Sequence, residues 1–361
     1  LANDKTEALE YFVTLVRKGG KDKVKLLTAY DLVKDFSIWS NYYIGSEIHR
    51  SHIEAPSSLV ISAYAKAISL LINKKGDDYQ QYLSDYDSLE YMIGTGYDLS
   101  INNGDLRRAR FFDAAYKELL IPLVAKRSER ERRFVEMKLL LHQANLLYES
   151  GEVESSKLVG QKVLKQMMSN YSDVFNFDEK LEIIMTGGML MAATEEYELG
   201  NLALKHLYDA SKDVYEKEMK EDAGFFASGQ IRGEIYSLYA GNKELADHFR
   251  TIRKISDSDM FSKHSFHALD LVGVNIWRAV HDDDDFIKAH NLLDLAIGRM
   301  LELGSTPRHW EIRFVDKMAD EAERRGQHRY ASDWRELAGM IYRESLLKRF
   351  SSGSRITPLE K

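Results

Sequence analysis

The hydrophobic residues of this chain recur at intervals of three and four along most of its length. In segment 138–163, KLLLHQANLLYESGEVESSKLVGQKV, one apolar stripe stops at Gly151 and a second begins at Val153. Apolar positions at i, i+3, i+4 and i+7 predict an amphipathic helix, and glycine commonly follows the last turn of a helix. The segment therefore predicts two helices joined by a tight turn.

Weaker copies of this pattern predict about six helix pairs between residues 86 and 350. Their turns are expected at Gly104, Gly151, Gly200, Gly241, Asp284 and Gly326. Most of these turn residues are followed five positions later by a small residue, namely Ala109, Ser156, Ala246, Ala289 and Ala331. Gly200 is followed by Lys205 instead. The small residues repeat every 42 to 47 positions, as from Ala289 to Ala331 (42) and from Ala109 to Ser156 (47).

Further small residues stand at fixed distances from the turns. Ala144, Ala193 and Ala319 lie seven residues before their turn glycine, and Ala296 and Ala338 lie seven residues after the first small residue of their unit. A small side chain lets two helix backbones approach closely. We therefore expect burial at helix contacts for Ala144, Ala246, Ala331 and Ala338.

The arrangement resembles the tetratricopeptide (TPR) family of helical repeats. The resemblance implies an all-α, right-handed α-solenoid of antiparallel helix pairs, in which each pair buries its apolar face on the next. The chain departs from the family pattern in two ways. Its period exceeds the usual value of about 34 residues, and the family's Trp and Pro are mostly absent. An irregular α-domain is the alternative fold.

The pattern also suggests a domain organisation. Residues 1–85 are predicted to be a helical N-terminal section, either diverged repeats or a cap, because no small-residue turns are legible there. Residues 86–350 carry the TPR-like repeats. Residues 351–361, SSGSRITPLEK, are predicted to be a C-terminal tail.

Composition and charge narrow the classes of function. The net charge of −7 provides no basic surface for nucleic acid. The absence of cysteine excludes disulfides and cysteine-ligated metals. No run approaches the roughly 20 apolar residues of a membrane span. We expect a cytoplasmic protein, with a periplasmic location as the alternative, and a chain that was trimmed or processed, because it begins without Met.

Candidate chemical sites are weak. The pairs His49/His52 and His264/His267 lack a third metal ligand at a known spacing. The run Asp282–Asp285 lacks the alternating ligands and central glycine of a calcium loop, so it is predicted to form a turn and a helix N-terminus. We predict no metal, no cofactor and no catalytic residue, which favours a non-enzymatic function.

The resemblance implies that the first helices of successive pairs line a concave groove. In the TPR register, eight polar residues fall on this surface: Lys138, His142, Asn145, Arg232, Asn275, Arg278, Arg313 and Lys317. Asparagine offers a donor and an acceptor to a peptide unit, and arginine can hold a carboxylate with two hydrogen bonds. A peptide groove requires Asn145, Arg232, Asn275 and Arg278 to be accessible, and internal ion pairs would contradict that assignment.

The sequence thus favours a TPR-like scaffold that binds a peptide or protein segment and serves as a regulatory or adaptor module. A narrower alternative is a peptide-responsive bacterial regulator whose effector domain is missing or diverged. From another class, a hydrolase would place its site where the N-terminal section meets the first repeats. A structural homo-oligomer, whose groove is filled by a neighbouring copy, is a further alternative.

Overall fold

The computed structural model describes the chain in a series of segments. These are residues 7, 9–14, 29–31, 33–34, 37–50, 57–75, 78–170, 174–218, 233–238, 240–252, 268–302 and 309–351. Helices are the only regular secondary structure in these segments, so the predicted all-α class is confirmed. Among these residues, no helix is both long enough and apolar enough to cross a bilayer. The predicted tail lies outside the described segments, apart from Ser351.

The helices follow one another with short connections. In chain order they are α1 (Ile38–Arg50), α2 (Ser57–Ile72), α3 (Tyr79–Ser84), α4 (Tyr86–Asn102), α5 (Leu106–Ala115), α6 (Ile121–Val124), α7 (Glu129–Glu149), α8 (Val153–Asn170), α9 (Phe177–Ala193), α10 (Tyr197–Glu218), α11 (Lys243–Ile252), α12 (Ala268–His281), α13 (Phe286–Glu302), α14 (His309–Arg324) and α15 (His328–Ser351). A π-helical turn, Tyr116–Leu120, joins α5 to α6, and residues 233–238 are also helical.

Contacts divide the chain into two compact units, Leu1–Val135 and Glu136–Ser351, with the division inside α7. The first unit contains the packed pairs α1/α2 and α4/α5, and the second contains α9/α10, α12/α13 and α14/α15. Turns of three or four residues connect the two helices of the α4/α5, α9/α10, α12/α13 and α14/α15 pairs. Such short turns reverse the chain, so these partners run antiparallel.

One backbone geometry recurs at six turns, which are these four and the turns before α8 and α11. Each has a residue with positive φ, and the six are Gly104 (67°), Gly151 (86°), Glu195 (64°), Gly241 (71°), Asp284 (53°) and Gly326 (74°). They follow one another at intervals of 47, 44, 46, 43 and 42 residues. At five of the six, the next amide donates to the carbonyl five residues earlier over 2.8–2.9 Å, which is the Schellman helix end.

The turn predicted at Gly200 is wrong. Helix α9 ends at Ala193, and the left-handed position is taken by Glu195, so Gly200 lies inside α10. Gly200 therefore occupies the small-residue position five residues after the turn. The register proposed for Ala193 is wrong for the same reason, and Gly188 stands seven residues before Glu195 instead. With this correction, all six turns are followed five positions later by glycine, alanine or serine.

The small residues lie where the predicted helix contacts require them. Ala144, Ala246 and Ala331 are fully buried and Ala338 is nearly so, which confirms the expectation of burial. The hydroxyl of Ser156 donates to the carbonyl of Ala144 over 2.8 Å. A side-chain bond to the backbone of the facing helix requires close approach, and a larger side chain at this position would prevent it.

Glycines inside helices mark further close contacts. A Cβ at Gly96 would lie 2.4 Å from the ring of Phe112, and one at Gly233 would lie 2.6 Å from the ring of Phe249. In both cases the glycine stands eight residues before the turn and the phenylalanine stands eight residues after it. A large residue on one helix is thus accommodated by a missing side chain on the other.

Two glycines of α14–α15 provide a test of the turn geometry, because a Cβ at Gly326 or at Gly339 would meet no atom within 4 Å. Gly326→Ala places a side chain at a φ of 74° and should reduce the free energy of unfolding by about 1–2 kcal/mol. Gly339→Ala, inside α15, should increase it by about 0.5–1 kcal/mol. Denaturant unfolding measures both changes, and equal signs would contradict the assigned backbone.

Candidate binding surface and its ion pairs

Arg278, the central residue of the predicted groove, is buried in the second unit. Its Nε and Nη2 donate to Oε1 of Glu234 over 2.9 and 2.7 Å. Its Nη2 also donates to Asp247 over 3.0 Å, and its Nη1 donates to Asp282 over 3.3 Å. Because α12 supplies the arginine, this cluster ties three neighbouring elements together: residues 233–238, α11 and the turn after α12.

The electrostatics of the cluster favour its charged form. Burial by itself would lower the pKa of Arg278, but hydrogen bonding and the charge of Glu234 outweigh burial and raise it above its ordinary value. Likewise, burial would raise the pKa of Asp282, but Lys243 and Arg278 outweigh burial and hold it low. Glu234 is fully buried, so its carboxylate depends on the guanidinium for charge compensation.

The expectation that Arg278 is accessible is therefore wrong. Its guanidinium already binds carboxylates of the chain itself, and only 9% of its side-chain surface is exposed. The same arginine cannot hold a partner's carboxylate without giving up its two hydrogen bonds to the buried Glu234. These internal ion pairs contradict the groove assignment made from the sequence, and Arg278 is removed from the set of ligand-binding residues.

Two other predicted residues, Lys138 and His142, lie on α7 within the second unit. The Lys138 ammonium forms an ion pair with Glu182 of α9 at 2.7 Å and is 13% exposed. His142 is buried, and this burial, followed by the charge of Lys138, places its pKa well below the ordinary value. His142 is thus a neutral packing residue at neutral pH.

Lys317 on α14 has partners from a distant part of the chain. Its ammonium donates to the hydroxyl of Tyr197, stands 5.0 Å from the centre of the tyrosine ring and lies 3.8 Å from Oε1 of Glu195. Lys317 is 30% exposed, and Glu195 is 54% exposed. Water therefore reaches this contact, unlike the pair of Arg278 with Glu234, whose side chains are 9% and 0% exposed.

The remaining predicted residues divide into two groups. Asn145 on α7 and Asn275 on α12 are half-buried, so each presents part of its side chain to solvent. Arg232 lies outside the described residues. Arg313 belongs to α14, but its side chain is outside the described part of the structure.

The four consecutive aspartates behave as the sequence predicts. Asp282 binds Lys243 and Arg278, Asp283 pairs with Lys288 at 3.2 Å, and Asp284 pairs with Arg325 at 3.1 Å. The carboxylate of Asp285 accepts the amide of Lys288 at the start of α13. The run therefore forms a turn with a helix cap. In the segments that the structure describes, no three side chains are arranged to hold a metal ion.

A second cluster lies between α12 and α14. The carboxylate of Glu321 accepts from Arg324 and Arg325, and it stands 3.7 Å from Nδ1 of His281. The His281 ring stacks on Trp277 with centroids 4.1 Å apart. Burial lowers the pKa of His281, and Glu321 opposes that effect only in part.

Sequence reasoning identified the cations but missed their acidic partners. Glu234 and Arg278 are 44 residues apart, and so are Lys138 and Glu182. That separation equals one predicted repeat period. A basic and an acidic residue separated by one repeat period could therefore have been recognised in the sequence as a possible ion pair between neighbouring elements.

Comparison with known proteins adds no family assignment. No family model, curated protein or solved structure matches this chain. Its function has to be inferred from its own contacts.

The buried ion pair leads to a prediction about stability. Arg278→Met leaves the Glu234 carboxylate buried without its guanidinium and should lower the free energy of unfolding by about 3–5 kcal/mol. Combining it with Glu234→Met should restore most of the loss. Lys243→Met removes a lysine that is 62% exposed and should change stability by about 0–1 kcal/mol. Denaturant unfolding tests all three, and a small loss in the Arg278 variant would contradict the assigned role.

The buried His142 and the half-buried His281 predict a loss of stability at mildly acid pH. His142 and His281 have lowered pKa values when folded, so below about pH 6.5 the unfolded chain takes up protons that the folded chain does not. The free energy of unfolding should then fall as the pH decreases, by up to about 1.4 kcal/mol per pH unit for His142 and by less for His281. Melts between pH 7 and 5 should show a shallower fall for His142→Gln. An unchanged slope there, or an equal change in the exposed His248→Gln, would contradict the assignment.

Proposed function

We propose that this protein is a non-enzymatic scaffold, built as a right-handed TPR-like α-solenoid, that binds a peptide or protein segment along its first helices. The proposal rests on one observation above others. The same hairpin turn, with a left-handed residue and a small residue five positions later, recurs at intervals of 42 to 47 residues. Repetition of one supersecondary unit is the basis of helical solenoids.

Side-chain contacts between neighbouring pairs support stacking. In the second unit, several of them join residues separated by about one period: Lys157–Glu196 and Lys243–Asp282 (39), His281–Glu321 (40), Asp284–Arg325 (41), and Lys138–Glu182, Glu234–Arg278 and His290–Trp334 (44). Contacts of this kind are expected when each pair packs on the next along a linear array.

The binding surface in this proposal differs from the one that the sequence predicts. Arg278 and His142 belong to the interior, so they stabilise the scaffold. The residues that remain on the first helices are the half-buried amides of Asn145 and Asn275, and Lys317. The corrected turn at Glu195 adds Thr186, which is half-buried and lies nine residues before its turn, as Asn275 and Lys317 do. Amides and a hydroxyl suit the backbone of an extended segment.

A peptide selection tests the proposed function. Dodecapeptides from a random displayed library are selected on the full chain, and the dissociation constant of an enriched peptide is measured. Asn145→Ala and Asn275→Ala should each weaken binding about three- to tenfold, because each removes a hydrogen bond to the ligand. The matched control is Asn291→Ala, whose side chain is exposed on the second helix α13 and should leave binding unchanged.

Two outcomes would contradict the proposal. One is the absence of any peptide that binds above an unrelated helical protein. The other is an equal loss of affinity in the Asn291 control, since that would place the ligand away from the first helices. Circular dichroism on each variant separates lost binding from lost fold.

A further inference from the structure

The contact of Lys317 with Glu195 and Tyr197 joins residues that are much farther apart in the sequence than those of the ion pairs between neighbouring helix pairs. Lys317 and Tyr197 are 120 residues apart, whereas the ion pairs between neighbouring helix pairs span 31 to 44 residues. Glu195 lies in the turn of the α9/α10 pair, and Lys317 lies on α14 of the α14/α15 pair. The contact therefore passes over two intervening helix pairs of the same unit.

The position of Lys317 on the first helix of its pair shows which part of the molecule this contact involves. It lies nine residues before its turn, the register of the half-buried Asn275 and Thr186 and of the buried His142 on their own first helices. The contact joins this first helix to the turn of a helix pair that stands three pairs earlier in the chain. It therefore involves a residue that the proposed function assigns to the ligand-binding surface.

We propose that Lys317, Glu195 and Tyr197 form a closing contact across this surface, and that a partner opens it by bringing a carboxylate that replaces Glu195. The inference rests on the proposed function and adds the chemistry of the partner. The partner is a segment with an acidic side chain or a C-terminal carboxylate at the position that contacts Lys317.

The physical basis is competition for one ammonium. The ammonium of Lys317 donates to a phenol oxygen of the chain itself and forms an ion pair with a carboxylate at 3.8 Å, and both the lysine and the carboxylate are partly hydrated. Exchange of one hydrated carboxylate for another changes the local charge little. A ligand shifts such an equilibrium only by its differential affinity for the open form, and contacts with the neighbouring amides supply that difference.

The first test measures distance and needs no ligand. The chain contains no cysteine, so Glu198→Cys and Asp320→Cys, both exposed, place two spin labels on α10 and α14 alone. Pulsed electron–electron double resonance should give a short distance between the two spin labels in the labelled parent protein. Lys317→Gln should reduce the short-distance population about tenfold relative to longer distances, because a charge-assisted hydrogen bond is lost. Tyr197→Phe should shift the distances in the same direction.

The matched control is Lys243→Gln, which removes an ion pair of 2.7 Å between neighbouring pairs but does not span the surface. It should leave the label distance unchanged. Unchanged distances in both the Lys317 and Tyr197 variants, with helix content retained, would overturn the inference.

The second test uses the selected peptide. Glu195→Gln removes the competing carboxylate and should tighten binding of an acidic peptide several-fold, whereas Lys317→Gln should weaken it. Peptide affinity that is the same in the parent and in Glu195→Gln would overturn the competition while leaving the scaffold function intact. If no peptide is enriched, the proposed function fails, and the label distances still decide whether the contact closes the surface.

Discussion

The left-handed residue at each hairpin turn sets the geometry on which the second unit depends. At five of the six turns it ends the first helix with a Schellman bond, and at all six the next helix begins two residues later. The amide of the small residue five positions later then donates to the carbonyl of the residue that follows the left-handed one, as Ala331 does to Gln327 at 3.1 Å. Turn, helix start and close helix contact are thus parts of one hydrogen-bonded unit.

Within the second unit, neighbouring helix pairs are joined by ion pairs as well as by apolar packing. The buried Arg278–Glu234 pair and the Lys138–Glu182 pair both connect elements that lie one period apart. A buried ion pair adds little net stability compared with apolar packing, but it requires the correct partner because a mismatch leaves a charge without compensation. The buried Arg278–Glu234 pair therefore favours one arrangement of the helix pairs that it connects, while the apolar core supplies most of the stability.

Much of the fold was predictable because its turns use residues with a strong conformational preference. Gly104, Gly151, Gly241 and Gly326 can be read directly, since glycine adopts positive φ without strain. Glu195 could not be read in this way, because glutamate normally favours a helix, and the nearby Gly200 was a better candidate on local grounds. The candidate site was less predictable. The register placed Arg278 on a first helix, but burial depends on Glu234, which lies 44 residues earlier and forms no local pattern with it.

The contacts between neighbouring helix pairs join residues that are close in the sequence, and this has a consequence for synthesis and folding. Because they join residues no more than one period apart, a helix pair can fold soon after it leaves the ribosome and can serve as a template for the next. Loop closure over such distances is fast compared with the pairing of remote segments. The contact between Tyr197 and Lys317 is different, since it cannot form until α14 has been made. The helix pairs that precede α14 can therefore form first, and the contact between α10 and α14 forms only afterwards.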